Sequence, residues 1–311
     1  MQSESVILQD DTRVVRELSE ISHLRTIIKL LSIVIAIGLV YVFARIGNDT
    51  HIIYVFILAF LIATWAQHAI GEELHDGSHY RLASSRRVNE YLASLYGSLS
   101  GISLMNYRAR HKLHHRYFGT ALDPDFPQYK TCPMGLKAWA TYLFVNFSGY
   151  GAIKSLVTFQ SNLSTGKPSW QHPGFTVVMQ LFLLILGILL NVPIFYFLFW
   201  FVPLLTLTYG VSHFRTMLEH WNAETWQDPT TGEICYGAFY DFDSGIQSQL
   251  FGAPFGYNHH GTHHSLPSIP NYNLDKIAHE DYREVPQNLI RKTTFFTRLS
   301  EMVSFSFKPS V

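Results

Sequence analysis

Four long windows of this chain are almost free of charged residues, at about 27–46, 52–70, 175–190 and 194–209. Each approaches the roughly 20 residues that, at 1.5 Å per residue, cross about 30 Å of hydrocarbon. Gly47-Asn48-Asp49-Thr50 reads as a turn between the first two, and only Asn191-Val192-Pro193 separates the last two. The expected architecture is therefore an all-α integral membrane protein with four transmembrane helices in two hairpins. Buried helices of a soluble protein rarely keep such length with so few polar residues. Lys29 and Arg45 stand near the ends of the first window, where long cations snorkel to the interface. Phe195, Tyr196, Phe197, Phe199, Trp200 and Phe201 read as lipid-facing or packing aromatics.

Charge placement orients these spans. Of the 23 Lys and Arg, only Arg45 falls in either hairpin connection, whereas residues 76–137 carry nine. The positive-inside bias therefore places both termini and the 71–172 loop in the cytoplasm. The first 25 residues are mixed in charge and show no cleavage-site pattern, so insertion without cleavage is expected. Cys132 and Cys235 both fall on the cytoplasmic side, which argues against a disulfide, and neither has metal-ligand spacing. A formal net charge of zero offers nothing to a nucleic acid.

The chain reads as one membrane domain over 27–275, flanked by cytoplasmic segments 1–26 and 276–311. Residues 88–106 mix apolar and small polar types and suggest an interfacial or re-entrant helix; 136–160, interrupted by Lys154, suggest another at the membrane surface. Residues 222–255 read as loop and short turns.

Histidine placement carries the chemistry. His75 and His79 follow the second window at i, i+4, a spacing that puts both imidazoles on one helical face. His111, His114 and His115 are spaced i, i+3, i+4, again suggesting one face, and His260, His263 and His264 repeat the pattern. At this chain's histidine content, a double occurrence of HxxHH far exceeds a chance expectation on the order of 0.04. All three clusters, with His220 after the fourth window, converge on one membrane face in a cytoplasmic helical cap. Nine imidazoles exceed the four that a structural zinc takes, so two metals are the economical reading.

Imidazole suits Zn, Cu, Fe and Ni alike, so the choice rests on chemistry. A redox-active pair beneath a membrane can use O2 against an unactivated C–H bond, which favours two iron ions. Carboxylates or amides should stand behind the rings to orient them; Asp76, Asp123, Asp125, Glu219, His213 and Asn258 are the candidates. His68 in the second window reads as a packing residue, His259 as a support beside its cluster, and His23, His51, His172 and His279 as surface residues.

These motifs resemble the membrane-bound fatty acid desaturase family, whose histidine boxes have the forms HxxxH, HxxHH and HxxHH. RARHKLHHRYFGTALDPDF at 108–126 is similar to the family's second box with its acidic pair. YNHHGTHHSLPSIPNYNL at 257–274 is similar to its third box with the Pro-Ser-x-Pro stretch, and the resemblance extends from about Ile52 to Leu274. It implies His75, His79, His111, His114, His115, His260, His263 and His264 as ligands, and matches His220 to an additional histidine before the third box. Thr216 stands where some members place an asparagine that holds a metal-bound water, which leaves either Asn258 or His213 as its replacement or that ligand absent.

The implied reaction is O2-dependent removal of two hydrogens from an acyl chain or similar lipid, with electrons from a separate cytochrome b5-like or ferredoxin-like donor. His172-Pro173-Gly174 resembles the start of a cytochrome b5 haem motif, but Phe175 replaces the expected glycine. A lipid, carotenoid or small-molecule hydroxylase or ketolase is the nearest alternative. A histidine-rich metal-binding or transport protein is the alternative from another class; it would place ionisable groups near the bilayer midplane, whereas the spans hold almost no carboxylates. No HExxH helix supports a zinc protease.

Overall fold

The computed structural model of the protein describes residues 13–160, 173–189, 197–227, 232–243, 245, 254–278 and 290–308. His172, His279 and the Asn191-Val192-Pro193 connection lie outside the described residues.

Helices α1 (His23–Thr50) and α2 (Ile53–Ser78) lie side by side. Their seam is built from Ile33, Ala36, Val40 and Ala44 on α1 and Ala59, Ala63 and Ala66 on α2, all buried. Small residues here let two backbones approach closely, as in helix pairs within membranes. Ile28, Leu31, Val34, Ile53, Tyr54 and Ile57 face outward on the other sides. The turn expected at Gly47–Thr50 is helical instead. The chain reverses at His51, which adopts a left-handed φ of 58° and donates its N–H to the Gly47 carbonyl at 2.7 Å. Beyond the apolar window, α2 continues to Ser78 because nearly every residue from Thr64 onward is enclosed by neighbouring elements.

Residues expected to form one interfacial helix form two, α3 (Arg86–Leu99) and α4 (Leu104–Tyr117), capped by Ser85 and Ser103. Gly101 at φ 73° turns the chain between them. Similarly, 135–160 divides into α6 (Gly135–Phe147) and α7 (Tyr150–Gln160), after the single turn of α5 (Phe126–Tyr129). The third apolar window becomes α8, described over Pro173–Leu189. The fourth becomes α9, Phe197–His220, which runs 11 residues past the expected end and carries His220 within its last turn. Three described helices, α1, α2 and α9, are thus long and apolar enough to cross a membrane.

π-Helical segments at Phe197–Phe201 and Leu204–Thr208 flank Pro203 in α9, since a proline has no N–H for the regular ladder. Gln67 of α2 braces this stretch, donating to the Trp200 carbonyl and accepting from the Thr208 hydroxyl, both at 2.7 Å.

The strictly all-α expectation requires correction. Strand β1 (Thr225–Gln227) pairs antiparallel with β2 (Ile234–Tyr236), and β3 (Phe239–Phe242) pairs parallel with β4 (Ile290–Thr293). Strands of three or four residues are too short for an alternating pattern, and the fully buried β3 takes its partner from far along the chain. A 3-10 turn at Pro254–Gly256, the short helices α10 (His260–Ser265) and α11 (Asn271–Leu274) and the helix α12 (Phe295–Ser306) follow. Phe118, Tyr129, Met217, Leu218, Trp221, Phe239, Tyr240 and Met302 form an apolar cluster where α9, β3 and α12 meet.

Candidate metal centre

All nine histidines singled out in the sequence meet in the interior, but as two groups. The first comprises His75, His79, His111, His115 and His263; the second comprises His114, His220, His260 and His264. Within each group one nitrogen per ring lies within 4.8 Å of the others. In the first, Nε2 of His111 is 2.8 Å from that of His79 and 3.0 Å from that of His115, and His263 is 3.3 Å from His115. In the second, His264 is 3.2 Å from both His114 and His260, and His260 is 3.1 Å from His220.

Helical geometry explains the division. At 100° per residue, positions i and i+4 differ by about 40°, whereas i+3 and i+4 differ by 100°. His111 and His115 therefore aim one way on α4, and His114, expected on the same face, aims at the other group. In α10 the outer pair His260 and His264 belongs to the second group, and His263 crosses to the first. Each HxxHH motif thus serves both.

Burial, with neighbouring charges, favours the neutral form of six of these rings. Burial, reinforced by Arg81, Arg108 and Lys112, lowers His79 to about 4. His115 falls to about 2 through burial and its neighbours His79 and His114. Burial and adjacent histidines hold His111, His260, His263 and His264 well below the ordinary value. Where facing Nε2 atoms about 3 Å apart both present lone pairs, they repel one another, and a shared cation removes that repulsion. Both His75 nitrogens are buried without a hydrogen-bond partner. Such closely converged, all-imidazole donor sets fit one transition-metal ion in each group.

Among the candidate orienting residues, Asp123 lies against the His114 ring. It lies 3.0 Å from His114 Nδ1 and also accepts from the Tyr129 hydroxyl and, at 2.8 Å, the Asp125 N–H. Asp125 is farther from His114 Nδ1, at 3.8 Å, and accepts from Arg110 at 2.6 Å and Gln128 at 2.9 Å.

The other candidates turn elsewhere. Glu219 accepts from Arg215 at 2.6 Å, and Arg215 also pairs with Glu72. Asp76 accepts from the Asn271 N–H at 3.3 Å and lies 3.7 Å from Lys29 Nζ. Asn258 donates to the Phe242 carbonyl at 2.7 Å, and the His213 ring lies tilted against Tyr209, centroids 4.1 Å apart, in a cavity that Lys137 and Lys154 also line. Neither joins a histidine group. The Thr216 hydroxyl bonds back to the Ser212 carbonyl. His259 approaches Asp275 at 3.2 Å, outside both groups, and His68 is buried with Nε2 unpartnered. Both cysteines are buried, and neither forms a disulfide.

Sequence reasoning missed three supports. Lys29 does not snorkel: only 6% exposed, it bonds Glu73 at 2.7 Å and Asn271 at 2.5 Å, joining α1 to the segment after the third box. Its signal was a cation inside an apolar window, opposite two carboxylates in α2. Asp241 of β3 accepts from the backbone N–H of Thr262 at 3.0 Å and from its hydroxyl, fixing the first turn of α10. Arg298 of α12 donates to the Leu218 and Trp221 carbonyls around the end of α9. No motif marks the last two.

Comparison with curated proteins gives no significant match. The sequence profile of the family described as Fatty acid desaturase matches residues 50–296, an interval containing every histidine of both groups. On that match the chain belongs to the fatty acid desaturase family, and it is an oxidoreductase of the membrane.

Proposed function

We propose that this protein is a non-haem di-iron desaturase that introduces a double bond into an acyl chain or similar lipid-like substrate. The observation that supports this most strongly is the sorting of nine histidines, seven of them buried and His79 and His115 partly so, into groups of five and four. Transport is disfavoured because the rings close on one another in two compact groups instead of lining a path across the membrane. The balanced reaction converts –CH2–CH2–, O2, two electrons and two protons into –CH=CH– and two water molecules. The electrons come from a separate carrier of the cytochrome b5 or ferredoxin class.

Bound in the two groups, the irons would supply the redox chemistry that activates O2 toward an unactivated C–H bond. The chain's own contribution is positional. His75, His79, His111, His115 and His263 would hold one iron; His114, His220, His260 and His264 would hold the other. Asp123 keeps a proton on His114 Nδ1, leaving Nε2 as the donor toward the centre. Tyr129, held by burial and Asp123 well above its ordinary pKa, remains a neutral hydroxyl donor to that carboxylate. The surrounding aromatic rings exclude water: Tyr257 covers His75 at 4.5 Å and Phe239 covers His264 at 4.5 Å.

In the membrane we place four spans in two hairpins, α8 being the third, with both termini and the metal sites on the cytoplasmic face. The test is expression in a host lacking the activity, with mass spectrometry of lipids and polar metabolites from wild type and His263→Ala. Loss of two mass units from a lipid, absent in the variant, is the expected outcome. A gain of 16 units would assign the hydroxylase reading instead, and a purified chain holding one zinc and no iron would overturn the proposal.

A further inference from the structure

α12 lies almost wholly beyond the residues that match the family, yet one of its side chains reaches the end of the helix that delivers His220. A helix leaves its final carbonyls without intrahelical partners, and α9 stops at His220. The His220 carbonyl is taken by the Ala238 N–H at 2.9 Å. Two more carbonyls are taken by one guanidinium: Arg298 Nε donates to Leu218 O at 3.1 Å, and Nη2 donates to Trp221 O.

That guanidinium is itself fixed. Its side chain is 3% exposed, Nη1 bonds Glu301 at 3.1 Å, and the Tyr240 ring lies 3.8 Å away. Tyr240 precedes Asp241, the residue that anchors the first turn of α10 and hence His260 and His264. One cation therefore touches both the end of α9 and the strand that orients α10, and a cation is also favourable at a helix C-terminus.

We propose that Arg298 is a positioning residue for the group His114, His220, His260 and His264, and that α12 is a working part of that centre. The inference rests on the two-metal reading above. By setting the tilt of the last turn of α9, the guanidinium sets where His220 Nε2 falls relative to His260 Nε2, now 3.1 Å away. A planar fork with five donors suits two carbonyls at once; a lysine ammonium is a point donor on a flexible stem.

The test is iron per chain in detergent-purified full-length protein, with the melting temperature measured alongside. Wild type is expected to hold about two irons, and Arg298→Ala about one, because a centre that loses a ligand's placement loses its metal. His220→Ala should give the same twofold loss, and the double variant no further loss. Arg298→Lys should fall between wild type and Arg298→Ala. Met302→Ala is the structural control: Met302 is fully buried in the cluster that α12 joins, and its hydrogen bonds reach Cys132 and Ser306. It should lower the melting temperature while keeping both irons.

Wild-type loading in Arg298→Ala overturns the inference, as does equal iron loss in Met302→Ala. Should Arg298→Ala not purify, Arg298→Lys decides, and its parity with wild type is the overturning result. A wild-type chain with a single metal would overturn the two-metal reading and the inference together, which separates the two failures.

Discussion

Asp123 lies 3.0 Å from the Nδ1 of His114, whose Nε2 faces that of His264 at 3.2 Å. The pair fixes the tautomer of the one α4 histidine that points to the second group. Asp123→Asn would let the side-chain amide face Nδ1 with its own N–H and favour the wrong tautomer. Loss of such an orienting partner typically lowers metal affinity or activity by about 10–100-fold. Iron titration and product yield should show that drop, and an unchanged affinity would exclude the role.

Lys29 pairs with Glu73 where both side chains are almost wholly enclosed. Removing one member of such a pair leaves a buried charge uncompensated, at a cost of about 3–5 kcal/mol. Lys29→Met should therefore melt well below wild type in detergent. Adding Glu73→Gln should recover much of the loss, and equal melting temperatures for Lys29→Met and wild type would refute the coupling.

Gly77 lies between His75 and His79, against α3. A Cβ placed there would come within 2.5 Å of the Ala93 Cβ and 3.2 Å of its Cα. Because the Cα cannot turn aside, Gly77→Ala should force α2 and α3 apart, with an overpacking cost of about 1–3 kcal/mol. Iron content should fall with the melting temperature, and Gly71→Ala, which meets nothing within 4 Å, is the control.

Acid should destabilise the metal-free protein in a defined window. His79 titrates near 4 in the fold, against an ordinary value of 6.5, so the unfolded chain binds the proton first. Stability from this group is complete above about 6.5, declines as the pH falls below it, and levels off below about 4. The buried rings of His111, His260, His263 and His264 add to the same trend. Melting temperature measured from pH 8 to pH 4 should fall on the acid side, and iron release should follow the same direction. A melting temperature independent of pH would contradict buried neutral imidazoles.

Spacing alone made most of this legible. Charge-free length announced α1, α2 and α9, and histidine periodicity named every ring that the interior brings together. Both are local signals, written within about 20 residues, so they survive without knowledge of the fold. What needed the tertiary structure was which histidine joins which group. His114 and His115 are adjacent in sequence, and their separation depends on how α4 is rotated against α2, α9 and α10. The same applies to Lys29 with Asn271, Asp241 with Thr262, and Arg298 with Leu218. Each joins residues distant along the chain, and the bond forms only where packing has already excluded water. Linear order determined the chemistry available to this protein; the burial of a few long-range polar pairs decided where that chemistry is held.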